Sequence, residues 1–170
     1  MRLKTIITFC MISLGIFAQK APKGMLNEDD PGAKEDFPEG RLIYCSCAYT
    51  NYGLLAGNIR HSYYALIADE GVEPKVVYCE ERDGDPEKCE YRATEEDVSE
   101  LTSILRKRDV FELNGYNVDE PMTGGTSYRI YMEFSTGEKL NAAWYAEKPL
   151  ALATETYGTI LRRLEAVTER

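Results

Sequence analysis

Four of the five cysteines, one histidine and a crowd of carboxylates hold whatever chemistry this 170-residue chain could perform. Cys45 and Cys47 stand one residue apart, Cys79 and Cys89 follow at wide spacing, and His61 is the single histidine. A Cys-x-Cys pair can work as a redox dithiol when positive neighbours hold one sulfur as thiolate, and this acidic stretch lacks them. Zinc is a second use for four sulfurs, but a Cys-x-Cys followed by distant cysteines matches no common zinc-ribbon spacing. His61 could act as a hydrolase base only with a nucleophile and an orienting acid nearby in space, and no G-x-S-x-G elbow accompanies it. It reads as a surface or strand-end residue. The acidic run Glu80-Glu81-Arg82-Asp83-Gly84-Asp85-Pro86-Glu87 lacks the register of a calcium loop, and Pro86 breaks the turn that would focus its carboxylates. Met122-Thr123-Gly124-Gly125-Thr126 is glycine-rich, yet no Lys-[ST] follows and a strand comes next, so a phosphate cradle is not expected. Carboxylate pairs for glycoside cleavage are defined by separation in space, which composition does not give. No catalytic residue, cofactor or metal is expected.

What the cysteines do depends on where the chain goes. Arg2 and Lys4 precede an apolar run, Thr5 to Phe17, and Ala18 then meets a polar stretch. Positive start, short apolar run and small residue make residues 1–18 a secretory signal peptide, cut after Ala18, although Ile16 is not the preferred small residue. The run is shorter than the roughly twenty apolar residues that span a bilayer. Cys10 has no lipobox around it, so no lipid anchor is expected. The expected destination is secreted or periplasmic, with no integral membrane segment after cleavage. In that oxidising compartment Cys45, Cys47, Cys79 and Cys89 read as disulfides. A Cys45–Cys47 bond would be strained, because residues two apart on a strand have Cβ atoms beyond disulfide reach. The pair is therefore expected to reach across to Cys79 and Cys89. The formal net charge is −9, more negative still without Arg2 and Lys4. Such a surface repels nucleic acid and anionic membranes and keeps the chain in solution.

The elements that must position these residues follow in order. Residues 19–40 are rich in Pro, Gly and charge and read as a flexible linker, leaving 41–170 as a single domain. Arg41 to Thr50 is a strand, and His61 to Asp69 with Glu73 to Glu80 form a hairpin. Thr94 and Asp97 frame a capping box ahead of a helix whose apolar stripe is Val98, Leu101, Ile104 and Leu105. Leu113 to Tyr116 is its exit turn. Ser127 to Phe134 and Lys139 to Glu147 alternate cleanly; a three-residue loop ending at Gly137 pairs Met132 with Leu140 and Tyr128 with Trp144. Pro149 starts a last helix lined by Ala153, Tyr157, Ile160, Leu161, Leu164 and Val167. The fold class is α+β: an antiparallel sheet of about five strands, two helices packed on one face, and a strand–strand–helix pseudo-repeat.

Asn114-Gly115-Tyr116, Ser127-Tyr128, Gly137, Trp144-Tyr145 and Pro149 give the stretch from about Tyr63 to Val167 a resemblance to a family of uncharacterised exported bacterial domains. That resemblance implies a hairpin–helix–hairpin–helix order and no assigned activity, and it does not extend to the cysteines.

Twelve tyrosines and one tryptophan are a heavy aromatic load. Alternation sends Tyr131 and Tyr145 away from the core face with Arg129, Glu133 and Asn141. Flat rings with polar tips there suit a protein, peptide or glycan ligand, or simply cross-strand packing. The expected function is an exported, disulfide-stabilised binding or interaction module. A secreted hydrolase inhibitor is the alternative, ahead of a thiol oxidoreductase or a hydrolase.

Overall fold

Alternation and helical periodicity sort most of the chain into strands and two long helices. The computed structural model describes residues 36–52, 59–82, 85–118, 125–147 and 150–170. Within them β1 is Leu42–Tyr52, β2 Ile59–Ile67, β3 Lys75–Arg82 and β4 Asp85–Arg92. Helix α1 (Glu95–Lys107), a 3-10 turn (Val110–Leu113), β5 (Gly125–Phe134), β6 (Lys139–Tyr145) and helix α2 (Ala151–Thr168) follow. The expected signal peptide, most of the expected linker, Met122 to Gly124 and Pro149 lie outside the described residues.

The strands form one antiparallel sheet in the order β4-β3-β2-β1-β5-β6. The class is α+β, with six strands where about five were expected. The additional strand is β4, DPEKCEYR, which begins inside the acidic run and to which no strand was assigned. Pro and alternating charge suit an edge, where one side of the backbone needs no partner strand. Lys75 reaches across to Glu90 at 3.0 Å, and Lys88 meets the same carboxylate at 2.7 Å. Four consecutive strands thus precede α1 and two precede α2, which breaks the expected order of one leading strand and two strand–strand–helix units.

The β5–β6 hairpin follows its alternation. Gly137 adopts φ +96°, its N–H donates to the Phe134 carbonyl at 2.9 Å, and Met132 lies opposite Leu140 and Tyr128 opposite Trp144. The loop is set by Gly137, where a side chain at positive φ would be strained. At the start of α1 the Thr94 hydroxyl accepts from the Asp97 N–H at 3.2 Å, and the Asp97 carboxylate accepts from the Thr94 N–H at 2.9 Å. That box also ties the helices together. Asp97 is only 4% exposed, and Arg163 of α2 and Arg170 just beyond that helix approach it at 3.5 and 3.2 Å.

The core is one cluster drawn from strands and helices. Cys45, Cys47, Leu66, Val76, Ile130, Met132, Leu140 and Trp144 pack with Leu101 and Leu105 of α1 and Ala153, Ile160 and Leu164 of α2. Phe37, expected to belong to the linker, joins this core edge-on to Phe111 and Phe134 at 5.8 and 5.3 Å. The Arg106 guanidinium lies 5.1 Å from its ring centroid. Ordered packing therefore begins by Phe37 rather than at Arg41. A single aromatic ring in a polar stretch carries too weak a pattern to signal this in advance.

Beyond the 3-10 turn, the Asn114-Gly115-Tyr116 segment runs along the outer side of β6. The Gly115 N–H donates to Asn141 O at 3.1 Å, the Ala143 N–H to Tyr116 O at 2.8 Å and the Val118 N–H to Ala143 O at 3.1 Å. The Asn114 side chain accepts from the Asn141 N–H at 3.2 Å. The chain thus covers its own β6 edge.

Candidate functional site

Strand β1 lies between β2 and β5, and its alternation decides which residues share each face. Cys45 and Cys47 point to the core; Tyr44, Ser46, Ala48 and Thr50 point to the second face. Register carries that face outward. Ser46 lies opposite Ala65 and Tyr131, Ala48 opposite Tyr63 and Arg129, and Thr50 opposite His61 and Ser127. Next along, Tyr131 pairs with Asn141, Glu133 with Lys139 and Ser127 with Tyr145.

The five residues expected to form a binding face, Arg129, Tyr131, Glu133, Asn141 and Tyr145, therefore share the second face, and all are half-buried. Tyr131 meets Tyr44 edge-on at 5.8 Å and donates its hydroxyl to Glu133 at 3.2 Å. Lys139 approaches the other oxygen of Glu133 at 3.3 Å. Burial, then the Glu133 charge, pushes the Tyr131 hydroxyl pKa up, so it remains a protonated donor. Burial also lowers the Arg129 pKa below the usual guanidinium range. Between the rings the side chains are small. Ser46 and Ala65 are 6% and 1% exposed, and Ala65, Val77 and Cys79 are buried yet stand outside the main core cluster. The same face carries Tyr44, Thr50, His61 and Tyr63, which sequence reasoning did not assign to it. Only the central place of β1 brings them beside β5.

His61 sits half-buried on this face with its Nδ1 2.8 Å from the Thr50 hydroxyl. Its pKa is lowered, first by burial and then by Arg129, against an opposing pull from Glu81, which lies opposite it on β3. Thr50, His61 and Glu81 have the residue types of a nucleophile, a base and an acid. Acyl transfer also needs donors aimed at the developing oxyanion. Thr50 lies in an interior strand paired on both sides, so its neighbouring amides serve the ladders.

The cysteines do not form the expected bridges. None of the four is in a disulfide: Cys45, Cys47 and Cys79 are buried and Cys89 is exposed. Strand β2 separates β1 from β3, so Cys45 or Cys47 is about 9.5 Å from that strand, beyond disulfide reach. Cys79 pairs with Lys88, which turns Cys89 to the opposite face from Cys79. Cys47 and Cys89 share one row, but Tyr64 and Tyr78 stand between them. Burial raises the Cys45 pKa to about 12 and pushes Cys47 well up. Neither forms the thiolate that dithiol chemistry requires.

Other charged features are committed within the chain. Glu80 of the acidic run is held by Arg60 at 2.6 Å, Arg82 at 2.8 Å and the Tyr78 hydroxyl at 2.9 Å. Hydrogen bonds from Arg82 and Tyr78 keep its carboxyl below the usual range. A cleft of about 480 Å³ near Arg41 and Arg92 is flanked by the pairs Arg41–Glu95 and Arg92–Glu73 at 2.7 and 2.8 Å. Among the described residues, no three potential ligands converge on a metal position, and no helix is long and apolar enough to cross a membrane. No family model and no curated protein matches the chain.

Proposed function

We propose that this protein is an exported, non-catalytic binding module that takes a peptide or glycan ligand on the tyrosine-bearing second face of its sheet. The observation that carries this reading is the convergence of Tyr44, Arg129, Tyr131, Asn141 and Tyr145 on one face around small side chains. Tyrosine offers rigid, amphipathic contact area, and a partly desolvated guanidinium pairs strongly with a carboxylate or sugar hydroxyl. Both helices on the opposite face complete the proposed architecture, and the single-faced origin of the core cluster supports it. Export rests on the leader-like residues 1–18. Buried thiols that cannot reach one another are compatible with an oxidising destination.

The test is a screen of the purified chain against glycan and peptide arrays, followed by titration of each hit with Tyr131→Ala and Arg129→Ala. The reading expects at least tenfold weaker binding in both variants, the size of one interfacial anchor, with circular dichroism unchanged. Hits that bind both variants as tightly as the parent overturn it, as does turnover of a bound ligand.

A further inference from the structure

The two edges of the sheet are finished differently. The chain's own segment around Gly115 to Val118 hydrogen-bonds along β6. Strand β4 ends the sheet on the other side, with no strand beyond it among the described residues. Its residues Pro86 to Glu90 are all exposed. An uncovered edge presents a row of free backbone donors and acceptors and pairs readily with another strand.

The register of β4 says which strand fits. The Ala93 N–H donates to Pro74 O at 2.9 Å, which continues the β3–β4 ladder by one rung. Antiparallel ladders alternate, so Tyr91, Cys89 and Glu87 also turn their backbone groups inward to β3. Arg92, Glu90 and Lys88 turn theirs outward. We propose that β4 pairs antiparallel with β4 of a second copy around a two-fold axis at Cys89, joining two sheets into one. In this register Lys88 lies opposite Glu90 of the second copy and exchanges both backbone hydrogen bonds with it, and the symmetry repeats the pair. Glu87 lies opposite Tyr91. The registers centred one residue to either side place Lys88 on Lys88 or Glu90 on Glu90, which like-charge repulsion disfavours. Cys89 meets its own copy at a non-hydrogen-bonded position, where Cα atoms stand about 4.5 Å apart, inside the disulfide range. Pro86 has no N–H, so the outermost rung with Arg92 makes one bond fewer, and pairing is concentrated between Glu87 and Tyr91.

Sedimentation of the full chain in reductant reads the association, and Cys89 reports the register. Lys88→Glu is expected to weaken the dimer about tenfold or more, since it sets two like-charge pairs across the axis. Lys88→Glu with Glu90→Lys is expected to restore it. With oxidised glutathione as oxidant, two Cys89 thiols give up two protons and two electrons, the glutathione disulfide becomes two thiols, and a Cys89–Cys89 bond forms. Crosslinking should follow the same order: parent and double swap fast, single swap slow. Far-ultraviolet circular dichroism checks that each variant remains folded. A chain that stays monomeric at about 100 μM, a concentration at which even a weak specific pair associates, overturns the proposal. So does crosslinking at one rate in all three forms.

Discussion

The two faces of the sheet draw on the same strands and end in opposite environments. On β1, Cys45 and Cys47 are buried against helix residues, while Ser46 and Ala48, one position along, lie among tyrosines, Arg129 and His61. The first face holds Leu66, Val76, Met132 and Leu140 at 1% exposure or less. The second holds half-buried rings with polar tips. Area removed from water is what stabilises the fold, so the first face carries stability. The second remains partly open to solvent.

Thiol reactivity gives the sharpest contrast. Cys89 is exposed, whereas Cys45 and Cys47 are 0% and 1% exposed. A soluble alkylating reagent should modify Cys89 at once and Cys45 and Cys47 about a thousandfold or more slowly, because they must wait for the fold to open. Peptide mapping against time checks this, and four equal rates would erase the distinction between the covered core and the open β4 edge.

Truncation should sort the same way in urea unfolding. Leu101→Ala removes a fully buried side chain of α1 and should cost about 2–5 kcal/mol. Tyr131→Ala should cost about 1 kcal/mol or less, the scale of a cross-strand pair. Equal losses would mean that the second face is also core.

The junction of the helices comes next. Asp97→Ala should cost about 1–2 kcal/mol through loss of the cap. Burial raises the Asp97 pKa, but the Thr94 hydrogen bonds, Arg170 and Arg163 overcome it and hold the carboxyl below its ordinary 3.8. Its stabilisation is therefore full above that value and lost as pH falls through the lower folded value. The variant should show a flatter acid limb in thermal melts.

The smallest effect belongs to His61. Its folded pKa is depressed below 6.5, so the unfolded chain takes up the proton first. Stability should fall as pH drops below 6.5 and level off beneath the folded value, and His61→Gln should remove that slope. A slope unchanged in the variant would assign it to other groups.

Local signals were legible wherever a few neighbouring residues decide the outcome. Thr94 and Asp97 marked the start of α1, the stripe from Ala153 to Val167 marked α2, and alternation with Gly137 set the β5–β6 register. Strand β4 was not legible, because Pro86 and a run of charges have low strand preference and extend only through pairing with β3. Phe37 was likewise hidden, since its docking depends on Phe111 and Phe134 arriving from far along the chain.

The sequence by itself determined the α+β class, both helices, the second hairpin and the set of residues that share a face within β5 and β6. The tertiary structure alone decided that β1 sits at the centre, that Tyr44 and His61 join Arg129 and Tyr131, and that the four thiols stand apart. The physical reason is range. Periodicity and capping act within a few residues, whereas strand order and the distance between sulfurs are set by which strands pair across the whole chain.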